Sequence, residues 1–142
     1  MKLPDVNVLL HAVNQDSAQH ALARRWLEDA LNAAEGVGLA WMSLLGFLRL
    51  STRAVVMRSP LPVERALGVV DLWLGHPSAR LLHPGDRHAG ILGRLLIAEG
   101  TAGNLTMDAH LAALAIEHNA QLVSFDRDFS RFAELRWQLL GA

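Results

Sequence analysis

Apolar residues recur at helical spacing through Ser17–Asn32. Ala21, Leu22, Trp26, Leu27, Ala30 and Leu31 share one stripe, and Arg24, Arg25, Glu28 and Asp29 fall off it. That period predicts an amphipathic helix, with Asp16 or Ser17 as its cap. Val63–Leu74 reads as a second helix, stopped by Gly75 and Pro77. Arg87–Glu99 is a third, with Ile91, Leu92, Leu95 and Leu96 inward and Gly100 at its end. Thr106–His118 is a fourth, with Leu111, Leu114 and Ala115 inward. Ser43–Ser51 is helical and almost wholly apolar, so its expected place is inside. Short apolar runs alternate with these helices: Leu3–Val6, Leu39–Trp41, Arg80–His83, Gln121–Phe125 and Arg136–Leu140. Strands alternating with helices predict an α/β sandwich around a mainly parallel sheet. The absence of repeats, long linkers and low-complexity tracts predicts one domain over 1–142.

In such sheets, sites form beyond the carboxyl ends of the strands. Asp5 falls at the end of the first run, and Asp126 at the end of Gln121–Phe125. Asp108 falls in the first turn of the helix just before that run, and Asp128 lies just past it. Each acid has an ordinary structural use. Asp5 turns the chain after Pro4, Asp108 meets the positive end of a helix, and Asp126 and Asp128 suit a turn. If the first and fourth strands are neighbours, however, all point to one edge. Carboxylates held that close repel and raise one another's pKa. A divalent cation relieves the repulsion, and an all-oxygen donor set suits Mg²⁺ or Mn²⁺. Such ions activate water and stabilise phosphoryl transition states.

Composition narrows the field. The 142 residues are 51% hydrophobic and 19% charged, the balance of a globular protein. There is no cysteine, which excludes disulfides, thiolate zinc sites and thiol nucleophiles. It fits a reducing, cytoplasmic location. The N-terminus has no signal-peptide pattern, and no apolar run approaches the roughly 20 residues of a membrane span. A net charge of −1 argues mildly against bulk electrostatic binding of nucleic acid. Of the 13 basic residues only Lys2 is lysine. Arginine suits bidentate phosphate contact, though GC-rich coding gives the same bias. No Walker motif and no H-E-x-x-H occurs. Ser43 and Ser124 lack a Ser–His–acid arrangement. His83 and His88 flank a Pro-Gly turn and are expected at the surface, and His110 is expected on an exposed helix face. The four tryptophans are expected to pack in the core or an interface. Arg49 and Arg53, one turn apart, and Arg127, between two acids, are candidate phosphate contacts.

The segments LPDVNVLLHA and NLTMDAHLAALAIEHNAQLVSFDRDFSRF resemble the PIN-domain ribonucleases, in particular the VapC toxins of bacterial VapBC toxin–antitoxin modules. The resemblance spans essentially the whole chain. It implies a three-layer α/β/α fold that gathers acids around Mg²⁺ or Mn²⁺ and cleaves single-stranded RNA, a homodimer, and silencing by a VapB-type antitoxin. It makes Asp5, Asp108 and Asp126 the metal ligands, with Asp128 assisting. Asn7 then braces Asp5, and Thr106 is the hydroxyl that precedes Asp108. The first helices and Ser43–Ser51 become surfaces for an antitoxin helix. One departure stands out. The family's further acid after the second strand is missing, because no acid occurs between Glu35 and Glu64, and Leu44 or Gly46 takes its place. A metal site with one carboxylate fewer follows. That gap also leaves open a non-catalytic RNA- or protein-binding module. A receiver-like phosphoacceptor ranks lower, since it needs a lysine beyond a late strand and the chain has only Lys2.

Overall fold

The computed structural model describes residues 1–141. Five strands, β1 (Lys2–Pro4), β2 (Val37–Ala40), β3 (Ala79–Leu82), β4 (Gln121–Ser124) and β5 (Trp137–Leu139), form one sheet in the order β3-β2-β1-β4-β5. Every pairing is parallel. Six α-helices cover it: α1 (Val6–Val13), α2 (His20–Asn32), α3 (Trp41–Ser51), α4 (Val63–Leu74), α5 (His88–Glu99) and α6 (Thr106–Glu117). Two main apolar clusters lie on the two faces. One joins α5 and α6 to the sheet through Ile91, Leu95, Leu111 and Leu122. The other joins α1 to α4 through Leu9, Leu27, Leu39, Phe47 and Val70. This is the three-layer α/β/α arrangement expected, with a wholly parallel sheet. Fully covered parallel sheets need strands that are apolar on both faces, and all four residues of β2 are buried.

The largest difference from the sequence expectation lies at the start. The Leu3–Val6 strand ends at Pro4, and Val6–Val13 is a helix that periodicity did not reveal. Asp5 causes the switch. Its backbone is extended, and its Oδ1 accepts the Val6 N–H at 2.7 Å, which caps α1. The next helix starts at His20 and not at Ser17, and neither Asp16 nor Ser17 caps it. The Ser17 hydroxyl instead accepts the Gln19 N–H at 3.0 Å and sits 2.6 Å from His11 Nδ1. The inward stripe of α2 is Ala23, Leu27 and Ala30, rotated from the one expected, so Leu22 is 42% exposed.

Ser43–Ser51 is half outside. Leu44 and Phe47 are buried, but Leu45 is exposed, and so is Trp41, which belongs to α3 and not to the preceding strand. α6 is the most enclosed helix: Ala109 and all of Leu111–Ala115 are buried. α5 ends on Gly100 at φ 77°, the left-handed cap expected.

Gly36, at φ +71°, shapes the entry to β2. A Cβ there would lie 2.2 Å from the Ser78 carbonyl oxygen. The same backbone carries the β2–β3 register, because Val37 N–H donates to Ser78 O at 3.0 Å. Gly36→Ala is expected to cost about 3 kcal/mol or more, from left-handed strain plus a backbone clash. Urea unfolding measures it.

Candidate metal centre

β1 and β4 are adjacent and in register, with Leu3 opposite Leu122 and Pro4 opposite Val123. The Asp5 N–H extends the ladder by donating to Val123 O at 2.9 Å. Asp5 is therefore delivered to the carboxyl edge beside Ser124, the last residue of β4. It is 6% exposed.

Ser124 is the hub of the contacts there, and it is fully buried. Its hydroxyl donates to Asp5 Oδ2 at 2.7 Å. Its oxygen accepts from Asn7 Nδ2 at 3.1 Å and from the Asp126 N–H at 3.0 Å. Asn7 is held in turn, since its Oδ1 accepts the Phe125 N–H at 3.2 Å. So Asn7 bridges α1 to the end of β4 and orients Ser124, which in turn orients Asp5. Asp126 Oδ1 accepts the Asp128 N–H at 2.9 Å and caps a short 3-10 turn, Arg127–Arg131. Asp126, not Asp128, is thus the capping residue, and Asp128 stands exposed beside it.

Asp108 enters from the first turn of α6, and among the described residues no hydrogen bond favours its charge. Burial pushes its carboxyl above the usual range, and the charges of Asp5, Asp126 and Asp128 push it further. Arg131 alone pulls it down. Burial likewise raises Asp5, against the hydrogen bonds from Ser124 and Val6, with a further push from Asp126. The other three acids thus all act on Asp108 through their fields. Among the described residues, however, no three His, Asp or Glu side chains stand gathered enough to clasp one ion. Two of the acids are spread onto local donors, Asp5 onto Val6 and Ser124, and Asp126 onto Asp128. Mutual repulsion favours that spreading. The donor chemistry still fits a hard divalent cation: all donors are oxygens, and the charge is poorly compensated.

The other expectations divide. Thr106 does not reach the acids; its hydroxyl donates to Gly103 O at 2.8 Å. His88 is buried and not at the surface, because its Nε2 meets His110 Nδ1 at 2.9 Å between α5 and α6. His110 is only partly exposed and turns to His88. Trp73 is buried as expected, whereas Trp41 is 43% exposed just past β2. Gly46 explains the missing acid. A Cβ at Gly46 would lie 2.7 Å from Val6 Cγ2, while Leu44 is wholly in the core. The space is closed by valine, next to Asp5. Ser124 is what the sequence reading missed. Its signal was a polar residue at the closing position of an apolar strand, directly before an acid.

Residues 2–135 match the family model of the PIN domain. The chain belongs to the PIN-domain family. Within it, the chain falls among the VapC ribonucleases. Ribonuclease VapC37 of Mycobacterium tuberculosis (strain ATCC 25618 / H37Rv) is 53% identical over 137 residues, covering 96% of this chain and 95% of that protein. Ribonuclease VapC33 of the same strain is 44% identical over 137 residues, covering 96% of each. Among solved structures, VapBC2 from Rickettsia felis, bound to a promoter DNA fragment, superposes with a TM-score of 0.72 at 19% identity, over 98% of each chain. Mycobacterium tuberculosis VapC20, described as a sarcin-ricin loop cleaving toxin, superposes at 0.68 and 19% identity, over 96% of this chain and 99% of that one. These structural likenesses concern the PIN fold.

Two outcomes test the geometry. The folded chain holds the Asp108 proton to higher pH than the unfolded chain, so ionisation there costs stability as pH rises from 3.8 through the raised value. In cation-free buffer Asp108→Asn should melt above wild type near neutral pH, and the gap should close as pH falls toward 3.8. Melts across that window check it, and a pH-independent gap contradicts it. Ser124→Ala leaves the Asn7 amide and the Asp126 N–H without their acceptor and Asp5 Oδ2 without its donor. It should cost about 2–3 kcal/mol in urea unfolding.

Proposed function

We propose that the protein is a Mg²⁺-dependent endoribonuclease, with Mn²⁺ as an alternative ion, and the toxin of a type II toxin–antitoxin pair. The observation that carries this is the junction of Asp5, Asn7 and Asp126 on one buried hydroxyl, Ser124, with Asp108 in their field. Asp5, Asp108 and Asp126 would hold the cation, and Asp128 adds negative charge at the rim. A bound cation would supply a water of lowered pKa and neutralise developing charge on a phosphoryl group. The chain's own work is positional. Ser124 and Val6 fix both oxygens of Asp5, Asn7 locks Ser124, and burial excludes water from behind Asp5.

RNA is the proposed substrate, and a VapB-type antitoxin the proposed partner. Support for the partner comes from structural neighbours described as VapBC assemblies from Rickettsia felis and Haemophilus influenzae. The exposed apolar side chains Trp41 and Leu45 on α3 support self-association as a homodimer. Among the described residues, no helix is long and apolar enough to cross a membrane.

One observation favours a second reading, a binding module without catalysis: the acid that α3 lacks, with Val6 filling the space beside Gly46. Cleavage separates the two. Purified wild type should cut RNA with Mg²⁺, lose the activity to EDTA, and lose at least about 100-fold in Asp5→Asn or Asp108→Asn. Mapping cleavage ends in total RNA reads this out, and a fully active Asp5→Asn protein would sink the assignment of the metal site to Asp5. Calorimetry with Mn²⁺ adds a measure independent of turnover, since a binding module takes up no cation through Asp5 and Asp108.

A further inference from the structure

A site of four carboxylates repels the polyanion it is proposed to cut. Some cation of the chain has to offset that at the rim. Arg127, exposed between Asp126 and Asp128, has no partner among the described residues to align it. Along α5 and α6 three arginines are already engaged, two of them at the end of α6 away from Asp108. Arg94 Nε and Nη2 donate to the two oxygens of Glu134 at 2.9 Å each. Arg136 Nη2 donates to Asn119 O at 2.7 Å. Arg87 Nη2 donates to Glu117 O at 2.9 Å.

Arg131 differs. It closes the 3-10 turn that begins at Asp126. Its Nε donates to Asp128 O at 3.2 Å, which ties the stem of the guanidinium to the acidic loop. Its Nη1 has only a loose ion pair, 3.5 Å from Glu99 Oε1 at the end of α5. The two side chains are 35% and 22% exposed. Arg131 is also the one basic group that acts on the Asp108 carboxyl. The arginine is thus aligned by one bond, close to the acids, with its outer N–H edge held by a single exchangeable glutamate.

We propose that Arg131 grips a backbone phosphate of the RNA at the rim of the acidic site, exchanging Glu99 for it. A guanidinium presents paired donors that match a phosphate's geometry, so binding replaces one anionic partner with another at little reorganisation. Glu99 then acts as an internal competitor for the substrate. The inference rests on the ribonuclease reading, which supplies the ligand.

The test is binding of a labelled short single-stranded RNA by fluorescence anisotropy, with Ca²⁺ replacing Mg²⁺ to hold back cleavage. Arg131→Gln should weaken binding about tenfold and reduce the salt dependence by about one phosphate contact. Arg131→Lys, which keeps the charge but not the fork, should fall between. Glu99→Gln should tighten binding a few-fold. A tether between α5 and the 3-10 turn would behave otherwise, because both substitutions break the same ion pair and would shift stability and binding together. Opposite shifts for Arg131→Gln and Glu99→Gln support the proposal. Equal shifts, no shift, or no RNA binding by wild type overturn it. Cleavage with Mg²⁺, measured alongside, separates this outcome from failure of the enzymatic reading: an active wild type with unchanged Arg131→Gln binding rejects Arg131 alone.

Discussion

Leu3 pairs with Leu122 and Pro4 with Val123 in the parallel β1–β4 ladder, and the Asp5 N–H carries that ladder one step further onto Val123 O at 2.9 Å. The acidic site depends on this register. Side chains alternate faces with period two, so a slip of one residue would turn Asp5 away and bury a different set. The apolar flanks make a slip costly, since Leu3, Leu122 and Val123 are fully buried. Register and site are therefore specified by the same residues. Core packing on the two faces of the sheet holds the strands, and the strands hold the charges.

The same arrangement sets a conflict between stability and chemistry. A buried carboxylate without full compensation is costly. Asp5 is buried on one side of the site, and Asp108 rides on α6, a helix enclosed almost all round. α6 cannot tilt away to relieve the repulsion without opening the cluster formed by Ala109, Leu111 and Leu114. The rigid apolar layer thus keeps the charges in one another's field. Apolar residues that carry no charge of their own set the electrostatics of the acids.

Much of this could be read from the chain. Val63–Leu74 has the bounds its period predicts, Arg87–Glu99 and Thr106–His118 each lose one residue, and Ser17–Asn32 starts three residues later. The placing of Asp5 and Asp126 at one edge of the sheet, with Asp108 in their field, followed from one rule about parallel sheets once their strands were assigned. Helix α1 escaped because VNVLLHAV has too few polar positions to mark a face. An eight-residue apolar run is ambiguous between strand and helix, and what decides it here is one hydrogen bond donated by the Val6 N–H to Asp5. Ser124 escaped for a different reason. Its partners lie 117 to 119 positions away as well as two, and no local spacing encodes that meeting. His88 was misplaced because a histidine beside a turn looks solvated, yet its partner His110 comes from another helix.

The hydroxyl of Ser124 has one proton and two lone pairs, and all three are spoken for. Two N–H groups, from Asn7 and Asp126, fill the lone pairs, so the lone proton must point to Asp5. The Val6 N–H occupies the other Asp5 oxygen. Each Asp5 oxygen thus already accepts one hydrogen, an arrangement that suits the anion. Burial penalises that same anion, and the Asp126 charge adds to the penalty. The hydrogen bonds and the desolvation therefore pull the group in opposite directions, and the tension sits on the one acid that the sheet register cannot move.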